Sequence, residues 1–120
     1  MNSVVTVSLP PNRTHAVRSA TFIRVSARPL IGVVEIREQR SERSKAKSSR
    51  YALRDDSDGE YTGRMFRLTK PGGRERYWTI LSCKGDEYDS CTCRGFEAFG
   101  VCKHIHALRG LLEEGHLNEE

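Results

Sequence analysis

The sequence predicts an α+β protein in which a small antiparallel β-sheet is followed by a C-terminal helix, with a flexible basic segment ahead of both. Three observations carry that prediction. Short β-rich runs separated by Gly, Pro and Asp clusters follow Tyr51, an apolar stripe at helical spacing occupies residues 103 to 115, and Cys and His residues stand in two close pairs between them. The chain of 120 residues, 37% hydrophobic and 30% charged, has room for one small domain. No apolar run approaches the length of a membrane-spanning helix. The size also excludes most multi-step enzyme folds and a core large enough to enclose an organic cofactor.

Residues 1 to 29 hold seven Ser/Thr, three Pro and four Arg without sustained periodicity, which predicts a mobile arm. Their acid-free, Arg- and Ser-rich composition also matches an organelle transit peptide, a minor alternative. The start, MNSVVTVSLPPNR, lacks the charged leader of a secretory signal, and Ser, Thr and Pro10-Pro11 interrupt its Val-rich stretch. A cytoplasmic, reducing compartment is therefore expected. Of the net charge of +4, residues 1 to 34 contribute +4, residues 35 to 50 contribute +3 and residues 51 to 120 contribute −3. The basic character belongs to the N-terminal half.

LIGVVEIRE at 30 to 38 begins as a β-branched run suited to a strand. It passes into EQRSERSKAKSSRYALRDD, where Glu38 and Glu42 stand near Arg at helical spacing, so strand and helix both remain open. Residues 40 to 50, with five basic groups and one acid, read as a solvated linker able to touch phosphate. The expected division is a basic, largely disordered segment at 1 to 50, a folded module at 51 to 116 and an acidic tail at 117 to 120.

Within the module, DDSDGE at 55 to 60 predicts a turn and MFRLTK at 65 to 70 a strand. Pro71-Gly72-Gly73 reverses the chain, and RYWTILSC at 76 to 83 pairs back. Lys84-Gly85-Asp86 supplies a second turn, and EYDSCTC is a third extended segment ending in cysteines. In KHIHALRGLLEEG, Ile105, Leu108, Leu111 and Leu112 form one apolar helix face. Gly110 weakens the middle of that helix and Gly115 ends it. Asn118-Glu119-Glu120 beyond it offers nothing more to bury.

The string CTCRGFEAFGVCKH sets Cys91 and Cys93 one residue apart and, eight residues later, Cys102 and His104 one residue apart. Three thiols and an imidazole in two close pairs suit one tetrahedral zinc ion. Side chains two apart on an extended segment share a face, so Cys91 and Cys93 can turn toward one point. Cys102 at the helix start meets the positive end of the helix dipole, which favours its thiolate. Gly95 and Gly100 relax the backbone near each pair, while Phe96 and Phe99 are placed to cover the metal and join the helix face. Three thiolates and a neutral imidazole around a dication leave a net −1, which Arg94 and Lys103 can offset. A unit of about sixty residues buries little apolar surface, and metal binding worth roughly 10 to 16 kcal/mol can supply the missing stability. Cys83 is taken as a strand residue packed in the sheet. His106 lies about 200° around the helix from His104, away from any shared ion. His15 and His116 lack a partner group.

This arrangement resembles the SWIM zinc finger, Cys-x-Cys followed by a gap and Cys-x-His on a β-hairpin and helix, over roughly residues 60 to 115. CKHIHAL resembles the family's helix start. The resemblance implies one structural zinc held by Cys91, Cys93, Cys102 and His104, with nucleic acid or protein as partner.

Four protein ligands leave no position for water or substrate, and neither a general-base carboxylate at zinc-enzyme spacing nor a phosphate-cradling glycine loop is present. A non-enzymatic adaptor is the leading reading. For nucleic acid, the hairpin offers Arg64, Arg67, Lys70, Arg74 and Arg76 to phosphate, weakly and with salt sensitivity, and Phe66, Tyr77 and Trp78 to bases, although a solvated hairpin with its aromatics in the core is the preferred reading. Two alternatives remain: a thiol redox protein using Cys91 and Cys93, or a purely architectural zinc module whose basic N-terminal half does the binding.

Overall fold

The computed structural model describes residues 3–57, 63–83 and 88–118. Seven strands form one antiparallel sheet in chain order: β1 (Ser3–Leu9), β2 (Val17–Ala27), β3 (Leu30–Gln39), β4 (Lys47–Asp55), β5 (Gly63–Thr69), β6 (Arg76–Ser82) and β7 (Ser90–Cys91). Two helices follow, α1 (Arg94–Phe99) and α2 (Lys103–Glu113). The α+β class with its antiparallel sheet and C-terminal helix is as the sequence predicts, but the sheet reaches back almost to the N-terminus.

Residues 3–9 and 17–27 are strands where a mobile arm was expected. The Ser and Thr residues that made this stretch look unstructured are one half of a two-residue alternation. Val7 and Leu9 in β1, and Ala20 and Phe22 in β2, are buried, while Thr6 and Thr21 pair across the other face, hydroxyl to hydroxyl at 2.9 Å. The ambiguity over residues 30 to 50 resolves into β3, a loop and β4, not a helix. β4 runs through residue 50 without a break, so the expected boundary there falls inside a strand.

The later elements lie close to expectation. Lys70 and Glu75 flank the predicted reversal, where Gly73 N–H bonds the Lys70 carbonyl at 2.9 Å. Gly72 and Gly73 there take φ of 92° and 72°, values that favour glycine. Residues 58–60 of the predicted turn, the turn at Lys84-Gly85-Asp86, and Glu119 and Glu120 lie outside the described residues. α1 was not anticipated. Leu117, assigned by sequence to the tail, is fully buried.

α2 lies on the buried face of the sheet, packing on β1, β2, β3, β6 and β7. Its Ile105, Leu108 and Leu111 join Phe22, Val34, Ile36, Leu53, Phe66, Leu68 and Leu81 in the core. Gly110 explains itself here: a Cβ would lie 3.0 Å from Leu9 Cδ2, so its absence lets the helix approach β1. Charged ties fix the helix. Arg109 binds the buried Asp89 carboxylate and donates to the Ser82 carbonyl at 3.0 Å, joining α2 to the β6–β7 connection. Arg24 and Arg64 donate to the His116 and Leu117 carbonyls at 2.8 and 2.9 Å beyond the helix end.

Candidate metal centre

Cys91 ends β7, Cys93 caps the N-terminus of α1, and Cys102 caps the N-terminus of α2, whose second residue is His104. The four side chains are buried and their ligand atoms all lie within 4.8 Å of one another. Each backbone feature has a local cause. Phe96 N–H donates to Cys93 Sγ at 3.4 Å and Ile105 N–H to Cys102 Sγ at 3.5 Å, so each sulfur plays the role of an N-cap acceptor. β7 pairs with β6 through Thr79↔Cys91, which places the Thr79 hydroxyl 3.3 Å from Cys91 Sγ.

His104 presents Nδ1 to the thiols, 3.7 Å from Cys91 Sγ, while its Nε2 lies 3.0 Å from the Tyr51 hydroxyl. The ring is stacked on Tyr77 and edge-on to Tyr51, each with centroids 5.0 Å away. With Nε2–H donating to Tyr51, Nδ1 carries the lone pair a metal would take. A tetrahedral zinc sets sulfurs about 3.8 Å apart and sulfur about 3.6 Å from nitrogen, given bonds near 2.3 and 2.05 Å. The Cys91 Sγ to His104 Nδ1 separation of 3.7 Å is close to the latter value, and the four ligand atoms all lie within 4.8 Å.

The thiols are not equivalent. Hydrogen bonding from Cys102, aided by His104 and Thr79, outweighs burial and holds the Cys91 thiol far below its ordinary range. Donation to Cys91 and burial push Cys102 up, more than Ile105 N–H lowers it. The opposite directions have one cause: two adjacent buried thiols do not both ionise without a cation between them. Burial, together with the nearby sulfurs, raises the Tyr51 hydroxyl, keeping it neutral.

Other sequence expectations change. Phe96 packs against the core but Phe99 is 80% exposed and covers nothing. Cys83 lies just past the end of β6 and is exposed, not packed in the sheet. His106 does turn from the centre, with Nδ1 3.1 Å from Arg18 Nη2. His15 has partners after all, Thr14 Oγ1 at 2.8 Å and Glu38 at 3.7 Å. In the proposed nucleic-acid hairpin, Phe66 is fully buried, Tyr77 stacks on His104 and Arg64 pairs with Asp55, so of the three aromatics only Trp78 is exposed. Strand alternation puts Phe66 and Tyr77 on the core face and Trp78 on the other.

Sequence reasoning missed Tyr51, Tyr77 and Thr79 around the cluster. They come from two strands, Tyr51 from β4 and the other two from β6, and no local spacing connects Tyr51 with His104, which is 53 residues away. No family model, curated protein or solved structure matches this chain. No helix among the described residues is long and apolar enough to cross a membrane.

Proposed function

We propose that this protein is a zinc-stabilised adaptor of the SWIM type, a non-enzymatic module whose partner is nucleic acid or protein. One observation carries the metal reading: three buried thiols and a histidine nitrogen converge within 4.8 Å, with the other nitrogen of that histidine occupied by Tyr51. Cys91, Cys93, Cys102 and His104 would hold the ion, whose positive charge would stabilise three neighbouring thiolates. Tyr51 orients the imidazole, and Phe96 and Ile105 N–H groups support two of the sulfurs. Four protein donors complete a tetrahedron, which favours a structural role over catalysis.

Elemental analysis of protein purified without added metal tests this reading. One zinc per chain, released together with loss of local structure on chelation, is the expected result. A metal-free folded protein with titratable thiols would favour the redox alternative instead.

A further inference from the structure

Above the metal centre lies an open cleft of about 1400 Å³, with Tyr51, Tyr77, Cys93, Cys102 and His104 along its floor. Its walls come from segments far apart in sequence: the β1–β2 loop, the β5–β6 turn, and α1 with the start of α2. Seven Lys and Arg side chains line it against three Glu. The acids are partly spent already. Glu38 pairs with the buried Arg18, and Glu75 pairs with Lys70 and accepts from the Tyr77 hydroxyl. Arg13, Arg74 and Arg76 are exposed and form no ion pair with any described residue. On the same rim, Phe99 is 80% exposed and Val101 52%.

We propose that this cleft binds single-stranded nucleic acid, its phosphates on Arg13, Arg74, Arg76 and Arg94 and a base against Phe99. The inference rests on the adaptor reading above and names the partner and the surface. Cations along a path with an exposed aromatic ring are the two elements that sequence-tolerant single-strand binding needs. The cleft is larger than the usual pocket for a small ligand, about 300 to 1000 Å³, and its cations are spread along the walls. A duplex reader instead inserts a helix or ribbon into a groove. α2 has no such face to offer: it buries His104, Ile105, Ala107, Leu108 and Leu111, and its Arg109 is committed to Asp89.

The test is fluorescence anisotropy of a labelled oligothymidylate with the full zinc-loaded chain from about 50 to about 200 mM salt, alongside metal analysis of the same sample. Binding should weaken as salt rises. The triple variant Arg13→Gln, Arg74→Gln, Arg94→Gln should flatten the slope of log affinity against log salt by about 2, at roughly 0.7 per lost phosphate contact. Phe99→Ala should weaken binding about tenfold with the slope unchanged. Arg37→Gln, on the opposite face of the sheet, should leave both quantities as they are. An unchanged slope in the triple variant, an unaffected Phe99→Ala, or equal binding of a duplex or an oligoglutamate overturns the proposal. Zinc-loaded protein that leaves oligothymidylate free at about 50 mM salt also overturns it while the zinc centre stands. Binding by folded protein that holds no zinc supports the cleft and retires the zinc reading.

Discussion

The face that β2 and β3 turn toward α2 buries Ala20, Phe22, Val34 and Ile36, whereas β7 has only two residues and α1 buries none of its six. The first region is built from long paired strands under a helix, and apolar burial accounts for its order. The second has almost nothing of that kind. A six-residue helix is far below the length that persists alone in water, and a two-residue strand adds little pairing. What the second region does have is the cluster, with Cys91 on β7, Cys93 at the start of α1 and Cys102 at the start of α2. The difference shows where an ion matters: it would cross-link the part of the chain that packing leaves under-supported. It also revises the sequence argument for metal. The hydrophobic core is shared by strands from β1 onward and does not belong to a sixty-residue unit alone.

The sharpest way to separate the two regions is to compare Cys102→Ala with Phe22→Ala. Removing a ligand from the centre should abolish hydrogen-exchange protection in β7, α1 and the first turn of α2 while amides of β2 and β3 stay protected. Phe22→Ala should cost about 3 to 5 kcal/mol and lower protection throughout the sheet. If Cys102→Ala exposes β2 and β3 equally, the regions form one cooperative unit and the comparison fails.

A subtler variant acts at the seam between them. Tyr51→Phe keeps a buried ring beside His104 but removes the hydroxyl at Nε2. Zinc affinity, measured by competition with a chromogenic chelator, should fall about 10- to 100-fold. An unchanged affinity would mean that His104 is oriented by its ring contacts alone.

The smallest effect concerns a tie that needs no metal. Burial pushes the Asp55 carboxyl up, but hydrogen bonds from Ser57 and Arg64 and the Arg64 charge outweigh it, holding the group below its usual value of 3.8. Its folded form is therefore the stronger acid, so its contribution is present above that value and is lost as pH falls through the lower, folded one. Asp55→Asn should cost about 2 kcal/mol near neutral pH, and urea midpoints of the two proteins should converge on acidification. A gap that persists below the usual carboxyl range would locate the effect in packing.

The legible parts of this protein were those encoded at short range. The Pro71-Gly72-Gly73 reversal, the apolar stripe of α2 and the paired Cys/His spacing each fit within a few residues, and the structure places all three where that spacing puts them. β1 and β2 were hidden because alternating Val, Ser and Thr has little net hydrophobicity; its meaning appears only when one face finds α2 and the other water. Phe99 was misassigned for a related reason, since spacing alone does not say which way a short helix turns.

The sequence by itself determined the four convergent donors and the helix that carries two of them, because local backbone periodicity sets which neighbouring side chains share a face. Only the tertiary structure decided that Tyr51 holds His104, that the Thr79 hydroxyl sits beside Cys91, and that Arg13, Arg74 and Arg94 line one cleft. Those relations join residues many positions apart, and they exist only once burial and strand pairing have closed the chain upon itself.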